Sequence, residues 1–190
     1  MSFYPAKISE KFNAAENSRA LEKADASGRW ASFVCGISVK FFLVIEAQTK
    51  LIKKAGFKSN GCGYAVASAD FMCEKIAGQK LTELHNLENL ELELKKFFGE
   101  FPTKRKHCSD VCFEALQQAL SAYRELRVEE WTGEKALICT CFGVSEERIE
   151  SEIEEKNLET VEDVGDICSA GTGCGSCQPM IQEILDSQNW

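Results

Sequence analysis

Histidine is nearly missing from this sequence, with two in 190 residues, too few for a zinc enzyme built on imidazole ligands. Long apolar runs are missing too. The longest lies around Phe41-Phe42-Leu43-Val44-Ile45, far short of the roughly 20 residues a membrane helix needs. Residues Met1 to Phe12 show no apolar run behind a basic stretch, so no secretory signal peptide is expected. No internal repeat or low-complexity segment is present. A basic excess is lacking as well. The net charge is −8 and the pI is near 5.0, so nothing would neutralise a run of phosphates and nucleic acid is not an expected partner. A soluble protein of the cytoplasm, with no membrane partner, is expected.

Cysteine is what the chain has in quantity: ten residues. Without a secretory route the thiols stay reduced, and clustered cysteines then mean metal or redox chemistry. Charge is unevenly spread. Leu137 to Trp190 hold 12 acidic and 2 basic residues, a net of −10, against +2 for the remainder. Such asymmetry suggests separate modules with different partners; a solvated acidic helix face is the plain alternative for Glu146 to Glu155.

The apolar patterning predicts an α+β organisation. Ser32 to Lys58, rich in Val, Ile and Phe and broken near Glu46 to Lys50, reads as a β-hairpin. After Gly61-Cys62-Gly63, the residues Ala65, Ala69, Met72, Cys73 and Ile76 share one helical face, with Gly78 as the stop. Leu81 to Phe98 reads as helical, though unevenly patterned. A clean helix then carries Val111, Ala115, Ala119 and Tyr123 on its buried stripe, with Cys112, Leu116 and Leu120 beside them. Ser109 and Asp110 are natural N-cap residues there, so Cys108 is expected at a helix N-terminus that favours a thiolate. Arg124 to Lys135 is polar enough to be a linker. Three short helices follow over Ser145–Glu155, Thr160–Cys168 and Gln178–Ser187.

The C-terminal cysteines fall as Cys139-x-Cys141, 32 residues, then Cys174-x-x-Cys177. Each pair can aim both sulfurs to one side, and Pro179 suits the first turn of a helix. Four thiolates suit zinc and a [2Fe–2S] cluster alike. The glycines favour iron–sulfur, because Gly171, Gly173 and Gly175 let backbone N–H groups approach the negatively charged sulfides. Cys168 lies outside the pattern and reads as a small buried apolar residue.

The segments Ile138-Cys-Thr-Cys-Phe-Gly-Val-Ser145 and Gly173-Cys-Gly-Ser-Cys-Gln-Pro179 resemble the [2Fe–2S] domain shared by bacterioferritin-associated ferredoxin and the NifU scaffold proteins. That resemblance implies a permanent cluster on Cys139, Cys141, Cys174 and Cys177. Cys35-Gly36, Gly61-Cys62-Gly63 and His107-Cys108-Ser109 each lie at the edge of a predicted element. Cys73 and Cys112 read as core residues. The run Asn60-Gly-Cys-Gly-Tyr-Ala-Val-Ala-Ser-Ala69, together with Lys106-His-Cys-Ser109, resembles the IscU-like scaffold domain. By that resemblance Cys35, Cys62 and Cys108 hold a transient Fe–S cluster or Fe²⁺, with His107 the nearest candidate for a fourth ligand.

The sequence also departs from the family. An aspartate usually follows the first Cys-Gly, and here Ile37 stands in its place. The N-terminal Asn13-Ala-Ala-Glu-Asn-Ser-Arg19 keeps little of the family's Pro- and Gly-containing motif. NifU proteins usually end in a third domain with its own Cys-x-x-Cys, and this chain stops at Trp190. If Ile37 sits beside Cys35 it would impair iron loading and slow cluster release; if it points into the core, the site is an ordinary one.

The resemblance implies an IscU-like α+β domain over 1–126 with a small antiparallel sheet and packed helices. A linker over 127–136 and a small all-helical [2Fe–2S] domain over 137–190 would follow. It implies a scaffold rather than an enzyme, served by a cysteine desulfurase and delivering to apo iron–sulfur proteins. A redox partner and a homodimer are compatible with it. Two alternatives remain: an electron-transfer or docking protein with a degenerate scaffold domain, and a zinc-stabilised protein with no redox role.

Overall fold

The computed structural model describes residues 3–84, 87–129 and 136–188. They form two compact units, Met1–Tyr123 and Arg124–Trp190.

In the first unit a helix α1 (Ala6–Asn13) precedes three strands, β1 (Ala26–Ala31), β2 (Ser38–Ile45) and β3 (Ile52–Ser59). These pair antiparallel in the order β1-β2-β3. Strict alternation along β2 sends Val39, Phe41, Leu43 and Ile45 into the core, as a half-buried strand requires. Helices α2 (Gly63–Ile76), α3 (Glu88–Phe98) and α4 (His107–Glu129) follow. Gly28 shows how tightly α4 packs on β1: a Cβ there would fall 2.0 Å from the backbone nitrogen of Ala119. No side chain fits that gap.

The segment between α1 and β1 covers the free edge of β3, where the Phe57 N–H donates to the Asn17 carbonyl at 2.9 Å. A buried carboxylate ties that segment down. Asp70 on α2 is 0 % exposed and accepts from the Asn17 backbone at 3.0 Å, its side-chain amide at 3.1 Å and Lys11 at 3.2 Å. A buried charge needs such partners to be tolerated.

The expected hairpin is present, but it begins at Ser38 rather than Ser32. Residues 32–37 form a loop, turned by Gly36 at φ +70°. The strand β1 was not anticipated. Leu81 to Phe98 divides into a 3₁₀ turn over Leu81–Leu84 and α3, which ends at Gly99 with φ +76°. Helix α4 starts at His107, so Ser109 and Asp110 lie inside its first turn, and the Ser109 hydroxyl donates to the Lys106 carbonyl instead of capping. The expected linker overlaps the end of α4, which continues to Glu129; residues 130–135 lie outside the described residues.

The second unit contains the three expected helices, α5 (Glu146–Lys156), α6 (Val161–Cys168) and α7 (Gln178–Gln188). It adds a short ladder of β4 (Leu137–Cys139) with β5 (Val144–Ser145). Local chemistry sets the helix starts. The Ser145 hydroxyl accepts from the Arg148 N–H, and Thr160 with Asp163 closes a capping box on α6. Ile149, Ile153, Val164, Ile181 and Leu185 form the core. Among the described residues no helix is long and apolar enough to cross a membrane.

Candidate metal centres

The C-terminal cysteines come from three places: Cys139 ends β4, Cys141 follows in the turn to β5, and Cys174 and Cys177 precede α7. They meet as two pairs. The Cys141 and Cys174 sulfurs are 3.5 Å apart, and the Cys139 thiol is near enough to Cys177 to help raise its pKa. Two thiolates on one tetrahedral metal lie about 3.8 Å apart for metal–sulfur bonds of ~2.3 Å. The Cys141–Cys174 pair has about that spacing, and four cysteines in one cradle are the donor set of a [2Fe–2S] cluster.

The glycines shape this cradle. A Cβ on Gly173 would fall 3.1 Å from the Cys141 sulfur. Gly175 adopts φ +77°, a conformation that costs other residues dearly. Backbone N–H groups of Gly171, Cys174 and Ser176 act to lower the pKa values of Cys177, Cys141 and Cys174 in turn. Exposed Cys174 has its pKa pulled down to about 7, first by the Ser176 hydroxyl and then by the Ser176 N–H and Cys141. Burial pushes Cys177 up to about 11. Cys168 is buried, its thiol donating to the Val164 carbonyl at 3.1 Å.

In the first unit the sequence-predicted cysteines also converge. Cys35 sits on the β1–β2 loop, Cys62 is the residue before α2, and His107 and Cys108 open α4. His107 Nε2 lies 3.1 Å from the Cys35 sulfur and 3.8 Å from that of Cys108. The Cys108 and Cys62 sulfurs are 3.6 Å apart. Each link has roughly the length of one edge of a tetrahedral site, about 3.5–3.8 Å. The links form an open chain, Cys35–His107–Cys108–Cys62. Among the described residues no three such groups crowd closely enough to enclose a single ion. Cys35 is exposed, Cys62 half-buried and Cys108 buried.

One electrostatic expectation is overturned here. Cys108 does lie in the first turn of α4, yet its pKa is raised to about 12 rather than lowered. Burial is the main cause, the Cys62 thiol adds to it, and Arg105 only partly opposes them. Burial disfavours the thiolate whatever the place of the residue in the helix. Behind Cys108, the buried thiol of Cys112 donates to the Cys108 and Ala65 carbonyls at 3.2 and 3.4 Å, and Cys73 is buried as well.

Position 37 is resolved in favour of the core. Ile37 is 5 % exposed, and its Cγ2 atom would meet a Cβ on Gly61 at 3.0 Å. The sequence reading missed Asn60, whose side chain bridges the loops of Cys35 and Cys62. It also missed Tyr4, whose hydroxyl accepts from the Gly63 N–H at 3.0 Å. Asn60 beside Gly61 signals a turn, but which backbone groups it meets is set by strand register.

The model for the NifU-like N terminal domain matches residues 3–130, and that for the BFD-like [2Fe-2S] binding domain matches 137–187. The nitrogen fixation protein NifU of Azotobacter chroococcum is 33 % identical over 97 % of this chain and 59 % of its own length. The NifU of a Nostoc strain is 32 % identical over 96 % of this chain and 63 % of its length. This chain thus spans about three fifths of those relatives. The iron-sulfur cluster assembly scaffold protein IscU of Aquifex aeolicus is 29 % identical over 80 % of this chain and 94 % of its own. In fold, the N-terminal part of a NifU-like protein from Brucella abortus matches with a TM-score of 0.54 at 18 % identity, covering 64 % of this chain and 94 % of that one. The chain belongs to the NifU-like N-terminal domain family and carries a BFD-like [2Fe–2S] binding domain after it.

Proposed function

We propose that this chain is an iron–sulfur cluster assembly scaffold with two working sites, one for cargo and one for a resident cluster. The observation that carries this reading is the contrast between the two cysteine groups. Cys35, Cys62, Cys108 and His107 come from three separate elements and leave Cys35 open to solvent. A group that must be loaded and then emptied needs that access. Cys139, Cys141, Cys174 and Cys177 lie in a glycine cradle with two of the four buried, which suits a group that stays. The expected domains, 1–126 and 137–190, are part of the same proposal.

The cargo is a nascent cluster built from Fe²⁺ and sulfur delivered as persulfide by a cysteine desulfurase, with a one-electron donor protein or thiol reductant supplying the electrons that bring each persulfide sulfur to sulfide. Cys35 is the exposed thiol that an incoming carrier meets first. His107 touches the sulfurs on both sides of it and is placed to exchange a proton or a bond with either. Cys62 and Cys108 form the inner pair, and burial of Cys108 keeps its thiol protonated until metal replaces the proton. In the second unit the four cysteines would hold the [2Fe–2S] cluster, which supplies one-electron transfer when bound. Backbone N–H groups at those sulfurs offset the charge that thiolates bring.

The test is desulfurase-driven reconstitution with Fe²⁺, followed by transfer to an apo-ferredoxin. Loading that needs Cys35, Cys62 and Cys108, with transfer to the acceptor, is the expected result. A second reading, an electron-transfer or docking protein, draws on the identity of residue 37, since isoleucine offers a metal no side-chain oxygen. Failure of the N-terminal site to load under any condition would favour it.

A further inference from the structure

Asn60 lies one residue beyond β3, on the next rung of the β2–β3 ladder. Ser59 pairs with Val39, and Asn60 faces Ser38, its N–H donating to the Ser38 carbonyl at 3.3 Å. The side chain extends this contact. Its Oδ1 accepts from the Ser38 N–H at 2.7 Å, and its Nδ2 donates to the Gly36 carbonyl at 3.2 Å. Only this orientation of the amide sets a donor against an acceptor at both ends; the flipped one opposes N–H to N–H and oxygen to oxygen.

These contacts fall on the residues that follow Cys35. The loop is closed on its other side by bonds from the Gly36 N–H to the Ser32 carbonyl and from the Ser32 N–H to the Ile37 carbonyl, at 2.9 and 2.8 Å. Cys35, Phe33 and Val34 themselves are exposed, so little packing holds the tip. Asn60 is two residues before Cys62. One amide therefore joins the backbone next to Cys35 to the backbone next to Cys62.

We propose that Asn60 is a positioning residue that holds Cys35 beside His107, at the outer end of the line of ligands that runs on through Cys108 to Cys62. The proposal rests on the reading of these residues as a cargo site. A bidentate amide of this length is required. The substitution Asn60→Asp keeps the bond from the Ser38 N–H but turns a carboxylate oxygen on the Gly36 carbonyl. Asn60→Ala keeps neither bond, and a glutamine side chain is one methylene too long to make both.

The test follows each cysteine separately in the full chain, with the C-terminal cluster in place. Wild type, Asn60→Ala and Asn60→Asp are titrated with Zn²⁺ and alkylated, and every cysteine is quantified by mass spectrometry. Thermal unfolding of each variant is recorded in parallel. In wild type Zn²⁺ should protect Cys35, Cys62 and Cys108 together. In both variants protection of Cys35 should fall at least tenfold, while Cys62 and Cys108 stay protected and the fold persists. Full protection of Cys35 in the variants would overturn the proposal, as would equal loss at all three cysteines, which marks general loosening. No protection of any of the three in wild type would sink the cargo-site reading itself, and Asn60 with it.

Discussion

Ile37 packs directly beneath Gly61, with 3.0 Å between its Cγ2 and the place where a Gly61 Cβ would be. The residue that follows Cys35-Gly36 is thus a buried wedge against the turn bearing Cys62. Replacing it with aspartate would bury a carboxylate in an apolar contact. Ile37→Asp should cost about 3 kcal/mol in urea unfolding, and Ile37→Val about 1 kcal/mol. Any folded Asp variant should load iron no faster than wild type. Faster loading and transfer by Ile37→Asp would show that position 37 does govern the site.

Cys139, Cys141, Cys174 and Cys177 all lie in the second unit, with the Cys141 and Cys174 sulfurs already 3.5 Å apart, so the resident cluster should form without the first unit's cysteines. Protein purified without oxygen should be red-brown, with about two irons and two sulfides per chain. Cys174→Ser or Cys177→Ser should bleach it, and Cys62→Ser should leave the colour. Stoichiometric zinc without acid-labile sulfide would rule out this assignment.

Gly173 and Gly175 should fail differently. A methyl on Gly173 meets the Cys141 Cβ at 3.0 Å, its sulfur at 3.1 Å and the Phe142 ring at 3.1 Å, so Gly173→Ala displaces a ligand. Iron per chain should drop severalfold while helix content is kept. A methyl on Gly175 meets only the Gln178 side chain at 3.8 Å, but φ +77° adds strain of about 1–2 kcal/mol. Gly175→Ala should lower the melting temperature by a few degrees and keep the cluster. Equal iron loss in both variants would show that backbone strain, not contact with Cys141, controls the cradle.

What the sequence revealed and what it hid divide along local and non-local physics. Helices α5 and α6 were legible because Ser145 and the Thr160–Asp163 pair cap them within a single turn. The buried stripe of α4 was legible from its period, and every residue on it is buried. Strand β1 was hidden because Ala26-Ser-Gly-Arg-Trp-Ala31 shows no alternation; its glycine answers to Ala119, more than 90 positions away. Glycine and helix-edge contexts single out Cys62 and Cys108, the resemblance to the IscU-like domain adds Cys35, and the structure brings all three together with His107. The raised pKa of Cys108 is not legible in the sequence. Helix position can be read along the chain, but burial depends on what packs above it.

Charge on the second unit leads to the last prediction. Both basic residues of 137–190, Arg148 and Lys156, pair with the single carboxylate of Glu152. Glu147, Glu154, Glu155, Glu159, Glu162 and Asp166 remain exposed, within a segment of net −10. A solvated acidic face would account for the composition alone, but it would give no salt dependence to electron delivery. A steering field would, since the Debye length falls from about 10 Å at 0.1 M to about 3 Å at 1 M. Reduction of the resident cluster by a basic one-electron donor protein should therefore slow at least tenfold across that range. Glu154→Gln combined with Glu155→Gln should flatten the dependence without altering the visible spectrum, because neither residue lies at the cysteines. A small neutral reductant should show no such slope, which separates steering from any effect of salt on the cluster. If the basic protein donor also reduces the cluster at a salt-independent rate, the acidic face serves solubility and not docking.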